Sequence, residues 1–179
     1  MKFAVMFRAP FVREPVAWQV YVTVSIKSGQ EEGSVSMIAI GSDHGGYALK
    51  QRVIRHLEEA HIPYEDLGCH SQESCDYPVY GHAVAKAVAE GKCDKGIVIC
   101  TTGIGISIAA NKHPGIRCAV CADSLTARLT RQHNDANMLA LGGGIVGENL
   151  ALEIVDTFLN TPFSGEARHQ RRVDLIEGV

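Results

Sequence analysis

Residues 100 to 107, Cys-Thr-Thr-Gly-Ile-Gly-Ile-Ser, put a thiol at the end of an apolar run and follow it with a glycine-spaced turn. The run Lys95 to Cys100 predicts a buried parallel strand, and Ile104 to Lys112 predicts a helix that starts directly after it. A thiol so placed sits beside a row of free backbone N–H groups. Together they can move a proton and stabilise an anion. That chemistry suits a small phosphorylated or carbonyl-bearing substrate, with Cys100 acting either as base or as nucleophile. The turn is not a dinucleotide fingerprint. Ile108 stands where its third glycine would fall, and Gly41 to Gly46 lacks the first Gly-x-Gly step. Neither stretch is a Walker phosphate loop, so what remains is a nest of amides.

Other loop residues extend this chemistry. His133, in Arg-Gln-His-Asn-Asp, can exchange a proton near neutral pH and so open a sugar hemiacetal, or it can serve a helix C-terminus. Asn134 either orients a sugar oxygen or ends that helix. Asp43 and His44, after the first strand, offer sugar-hydroxyl and phosphate binding, or are turn residues facing solvent. Near the C-terminus, Arg168-His-Gln-Arg-Arg172 puts Arg168 and Arg172 on one helical face, able to clamp a phosphate or to form an ordinary basic surface. Arg117 is a further phosphate candidate.

These residues need a scaffold. From Met37 onward short apolar segments alternate with amphipathic ones. Strands are expected at Met37 to Gly41, Pro63 to Gly68, Gly96 to Cys100, Ile116 to Cys121 and Asn137 to Leu141. Helices are expected at Tyr47 to Ala60, Val79 to Ala89, Ile104 to Lys112, Ser124 to Arg131, Gly147 to Leu159 and Glu166 to Ile176. The expected fold is α/β, a three-layer Rossmann-like sandwich with a mostly parallel sheet. Ligands of such sheets gather outside the carboxyl ends of the strands, which puts Asp43-His44, Cys100-Thr101-Thr102 and Gly142 to Gly144 along one edge.

The bulk figures fit one domain. The chain has 179 residues, is 46% hydrophobic and carries a formal charge of −3, which argues against a broad nucleic-acid-binding field. No segment is long and apolar enough to span a membrane, and a cytoplasmic protein is expected. Its six cysteines read as reduced thiols. Cys118 and Cys121 lie on a strand at odd separation and face opposite ways, so they are not a joint ligand pair. Cys69 and Cys75 share a loop and can approach one another, but no Cys/His set completes a zinc pattern. Before Met37 the chain changes character. Alternation from Trp18 to Ile26 predicts a strand, and Ser28 to Ser36 reads as a linker. Residues 1–36 are an accessory extension or an artefactual upstream segment, and residues 37–179 form the functional domain.

Taken together, Ile38 to Gly46, Asp76-Tyr-Pro78, Cys100 to Asn111, Arg131 to Asp135 and Arg168 to Arg172 resemble the ribose-5-phosphate isomerase B and galactose-6-phosphate isomerase subunit family. The resemblance spans nearly all of residues 37–179. It implies an aldose-ketose isomerase working through a cis-enediolate without metal or other cofactor. It also implies a homodimer, in some relatives a tetramer, whose sites combine residues of both subunits. By motif, Cys100 corresponds to the proton-transfer base, and Thr102 and His133 to residues that assist ring opening. Thr101, Gly103, Ile104 and Gly105 form the turn that holds the enediolate. Asp43 and Asn134 position sugar oxygens, His44, Arg168 and Arg172 hold phosphate, and Tyr77 lines the pocket. The expected substrate is ribose 5-phosphate. The alternatives are galactose 6-phosphate or allose 6-phosphate, or a noncatalytic sugar-phosphate-binding protein. No nucleic-acid or membrane partner is implied.

Overall fold

The structure, a computed structural model, describes residues 37 to 178. The strand expected at Trp18 to Ile26 lies outside the described residues. Five strands are present: β1 (Ile38–Ser42), β2 (Tyr64–Asp66), β3 (Lys95–Cys100), β4 (Cys118–Val120) and β5 (Met138–Gly142). Six helices accompany them: α1 (Tyr47–Glu59), α2 (Tyr77–Ala89), α3 (Ile104–Ala110), α4 (Ser124–Asn134), α5 (Glu148–Asn160) and α6 (Ala167–Glu177). The strands form one sheet in the order β2-β1-β3-β5-β4, every neighbouring pair parallel.

The sheet separates two apolar layers, as the two-residue repeat of a strand demands. Ile38, Ile40, Ile97, Ile99, Leu139 and Leu141 face one side, where they meet Leu49, Val53 and Leu57 of α1 and Ile154, Val155 and Phe158 of α5. Ala39, Val98, Cys100, Met138 and Ala140 face the other, under Val84, Ala85 and Val88 of α2 and Ile106 and Ala110 of α3. Each fully buried Ile, Leu or Phe contributes about 1.5–3 kcal/mol of burial energy, so the three central strands anchor the fold. This is the expected α/β sandwich with helices on both faces. Cys118 belongs to one layer and Cys121 to the other, in accord with the reading that they do not act as a pair. Among the described residues, no helix is long and apolar enough to cross a membrane.

Several boundaries differ from expectation, the clearest of them for local reasons. Helix α2 begins at Tyr77 rather than Val79, because Asp76 takes the extended N-cap conformation and Pro78 sits in the first turn, where its missing N–H costs nothing. Helix α4 runs past Arg131 to Asn134. Asp123 caps its start, the Oδ1 accepting from the Thr126 N–H at 2.8 Å, and Asp135 ends it in the left-handed region at φ 44°. The Arg131 guanidinium braces that exit by donating to Asp135 Oδ1 at 2.8 Å and to the Ala136 carbonyl at 2.6 Å. Strands β2 and β4 are three-residue edges, shorter than expected.

Candidate active site

The chain leaves β1 toward β2 on one side and enters β3 on the other, so the gap beyond β1 and β3 is the sheet's topological switch point. Three loops converge there. Asp43 to Gly46 follows β1, Thr101 to Gly103 follows β3, and Gly143-Gly144 follows β5. The Gly143 N–H donates to the Cys100 carbonyl at 2.8 Å and the Gly144 N–H to the Thr101 carbonyl at 2.9 Å. The glycines allow this approach. A Cβ on Gly45 would lie 2.3 Å from Thr101 Oγ1, and one on Gly46 would lie 2.4 Å from the Ile99 carbonyl oxygen.

Within this junction Cys100 ends β3 on the face covered by α2 and α3. Its thiol sulfur accepts the Gly103 N–H at 3.1 Å. The residue is 4% exposed, because the turn folds back over it. A reacting carbon must enter between the loops to reach it. Among the described residues, the N–H groups of Thr101, Thr102 and Gly105 have no protein acceptor, which leaves amides of the turn available to a bound oxyanion. Thr102 is exposed, and its hydroxyl accepts the Ile104 N–H at 3.3 Å. The side chain of Ile104 points to solvent, 56% exposed.

The β1 loop supplies the next two residues. Asp43 is buried, one carboxylate oxygen accepting the Gly46 N–H at 2.9 Å. His44 Nδ1 lies 3.1 Å from the Cys75 nitrogen and 3.2 Å from the Cys75 carbonyl oxygen, so the Cys75 backbone sets the ring and leaves Nε2 facing away from it. Tyr77, opening α2, lays its ring over Gly105. A Cβ on that glycine would sit 2.6 Å from the ring. Asp43, His44, Tyr77, Cys100, Thr101, Thr102, Gly103, Ile104 and Gly105 thus come together; the sheet-edge rule predicted this for Asp43, His44 and Cys100 to Thr102, and Tyr77 joins them from the start of α2.

His133, Asn134, Arg168 and Arg172 form a second group, on α4 and α6. Among the described residues no hydrogen bond or ion pair joins it to the first. His133 occupies the last turn of α4, its ring 4.4 Å from that of His169, centroid to centroid, at a 47° tilt. His169 is buried and its Nδ1 lies 2.9 Å from Ser164 Oγ. It fastens α6 to α4 and thereby fixes Arg168 and Arg172 on the exposed side, a role that sequence reading missed because His169 stood between more conspicuous arginines. Arg168 Nε donates to Glu166 at 2.8 Å. Asn134 is exposed and gives its carbonyl to Arg117 Nε at 2.9 Å. Arg117 is not a free phosphate partner, because Asp135 and Glu177 engage its guanidinium at 3.2 Å and 2.5 Å.

The Ribose/Galactose Isomerase family model matches residues 38–176. The chain is 50% identical to ribose-5-phosphate isomerase B of Escherichia coli over 142 residues, 79% of this chain and 95% of that enzyme. It superposes on Clostridium thermocellum ribose-5-phosphate isomerase B with a TM-score of 0.78 at 56% identity, covering 79% of this chain and 95% of that one. A Mycoplasma genitalium ribose-5-phosphate isomerase B with bound ribulose-5-phosphate matches with a TM-score of 0.76 at 40% identity, over 79% of this chain and 94% of that one. By sequence and fold, the chain belongs to the ribose/galactose isomerase family.

Proposed function

We propose that this protein is a ribose-5-phosphate isomerase, interconverting D-ribose 5-phosphate and D-ribulose 5-phosphate, with residues 37–179 as its catalytic unit. The observation that carries the reading is the Cys100 thiol under the Gly103 N–H, at the switch point and beside amides that have no protein acceptor among the described residues. In this scheme Thr102 and His133 assist ring opening. Cys100 then removes the C2 proton and delivers it to C1, while the amides of the turn hold the enediolate oxygen. Holding that charge matters because the proton can only be exchanged between adjacent carbons while the intermediate stays bound. Asp43 and Asn134 orient hydroxyls, Tyr77 walls the pocket, and His44, Arg168 and Arg172 bind the phosphate.

The separation of the two residue groups supports a dimeric site, with α4 and α6 of one subunit completing the Cys100 loops of its partner. Exposed apolar side chains on α3, Ile104 at 56% and Ile108 at 55%, are suited to burial in such a contact.

The test is an NMR turnover panel with ribose 5-phosphate and six-carbon aldose phosphates, run on the wild type and Cys100→Ala. Ribose 5-phosphate should turn over in the wild type. Cys100→Ala should lose about 10²–10⁴ in rate while binding the substrate. Faster turnover of galactose 6-phosphate or allose 6-phosphate would move the assignment to a six-carbon sugar. Binding without proton exchange by the folded wild type would make the protein a noncatalytic sugar-phosphate binder.

A further inference from the structure

Cys69 and Cys75 bracket the loop between β2 and α2 and face the same cleft. With His70, Glu73 and Tyr80 they line an open cleft of about 290 Å³. Of the six free cysteines, five are buried and only Cys75 is partly exposed. The two thiols are anchored very differently. The Cys69 N–H donates to the Ser42 carbonyl at 2.7 Å, its carbonyl accepts Lys50 Nζ at 2.7 Å, and its thiol donates to the Ser71 carbonyl at 3.2 Å. Cys75 is tied chiefly to His44, through its N–H on Nδ1 at 3.1 Å, and its sulfur lies 4.0 Å from the same nitrogen.

We propose that Cys69 and Cys75 are a redox modification site, forming a reversible disulfide with a hydroperoxide as oxidant and withdrawing His44 from the sugar-phosphate site. The partly exposed Cys75 meets the oxidant. Its sulfur attacks one peroxide oxygen, the O–O bond breaks, and the leaving oxygen departs as water or alcohol carrying the thiol proton. The resulting sulfenic acid is attacked by Cys69, the S–S bond forms, and the sulfenic oxygen leaves as water with the Cys69 proton. Two thiols lose two electrons in total, and the hydroperoxide gains them. Burial keeps Cys69 from meeting the oxidant in solvent and pushes its thiol up, so its part is the second step, where closeness within the cleft offsets a small thiolate fraction.

Bond formation draws the sulfurs to about 2.05 Å, and Cys69 is held from several sides, so it is Cys75 that moves. In this proposal the Cys75 backbone moves with its sulfur and carries its N–H and carbonyl away from His44 Nδ1, 3.1 Å and 3.2 Å from them in the reduced form, so the ring loses the contacts that set it. The effect on turnover rests on the isomerase reading, whereas the cross-link itself does not.

The experiment treats the full chain with a small excess of hydrogen peroxide, alkylates the remaining thiols and maps them by peptide mass spectrometry. Initial rates and calorimetric binding of ribose 5-phosphate are measured alongside. The expected result is a Cys69–Cys75 cross-linked peptide and about a tenfold weaker affinity, with a matching loss of rate at low substrate. Dithiothreitol should reverse both, and Cys75→Ser should keep its rate and affinity under the same peroxide. Recovery of both cysteines as alkylated thiols would overturn the proposal. So would a cross-link that leaves affinity unchanged, or equal losses in Cys75→Ser, which would place the damage at Cys100. A folded, reduced wild type without turnover would defeat the isomerase reading alone, with the cross-link and its effect on binding still deciding this one.

Discussion

Gly103 donates its N–H to the Cys100 thiol at 3.1 Å while standing in the left-handed region at φ 77°, so one residue both turns the chain and fixes the sulfur. A Cβ at Gly103 would press on the Leu141 carbonyl carbon at 2.9 Å, and β5 backbone has no room to give. Gly105, one turn-step further, would press instead on the ring of Tyr77, a 40% exposed side chain. The two substitutions should therefore separate. Gly103→Ala should lose about 1–3 kcal/mol of stability together with most of its turnover. Gly105→Ala should fold with nearly wild-type stability but displace Tyr77 and raise KM. Urea unfolding and steady-state kinetics on both variants check this. Equal stability loss in the two would contradict the different character of their neighbours.

A second expectation concerns a charge inside the fold. Lys50 is 0% exposed, and its Nζ donates to Asp66 Oδ1 at 2.5 Å and to the Cys69 carbonyl at 2.7 Å. Removing one partner of a buried pair leaves the other charge stranded, which costs more than the pair itself is worth. Asp66→Ala should thus lose about 3 kcal/mol or more. Lys50→Met should cost clearly less, because Asp66 keeps the Gly68 N–H at 3.0 Å and is partly open to water. Denaturant midpoints for the two variants decide it, and the reverse order would be evidence against the pair's stranded-charge logic.

Lys50 also marks where sequence reading stops. On α1 it occupies a position that reads as solvated, and its partner lies in a different element, so no local pattern announces the burial. The central strands were legible because both of their faces are covered, which makes each a continuous apolar run. The three-residue edges β2 and β4 were overextended, since half-covered strands end where pairing ends and not where hydrophobicity ends. In the site, the loops after β1 and β3 were legible through the sheet-edge rule. The His133–His169 stack was not, because it depends on how α6 returns across α4.

Alkaline pH offers a third test. Burial pushes the Cys118 thiol up to about 12, from an ordinary value of 9.0. The unfolded chain releases this proton first, so the contribution is fully present below pH 9 and is lost as pH rises through the folded value near 12. At pH 10 the loss is about 1.4 kcal/mol relative to pH 8. Other groups titrate in the same range, so the informative quantity is the difference between the wild type and Cys118→Ala. That difference should shrink by about this amount between pH 8 and pH 10 in chemical denaturation. A constant difference would show that Cys118 releases its proton as readily folded as unfolded.

The division of site residues into two unconnected groups makes a prediction about subunits. If α4 and α6 complete the loops of a partner, Cys100→Ala and His133→Ala damage opposite contributions to the same composite site. A mixed dimer then holds one site with both lesions and one with neither. Each variant alone should be nearly inactive. After co-refolding in equal amounts, random pairing makes half of the dimers mixed with one intact site in two, so activity should return to about a quarter of wild type. Mixing Cys100→Ala with Thr102→Ala supplies the control, since both lie in the same loop and no pairing produces an intact site. Recovery in the first mixture and none in the second would establish a shared site. Absence of recovery in both, with mixed dimers verified by mass, would place His133 and Cys100 in one subunit's site and require α4 to approach the β3 loop within a single chain.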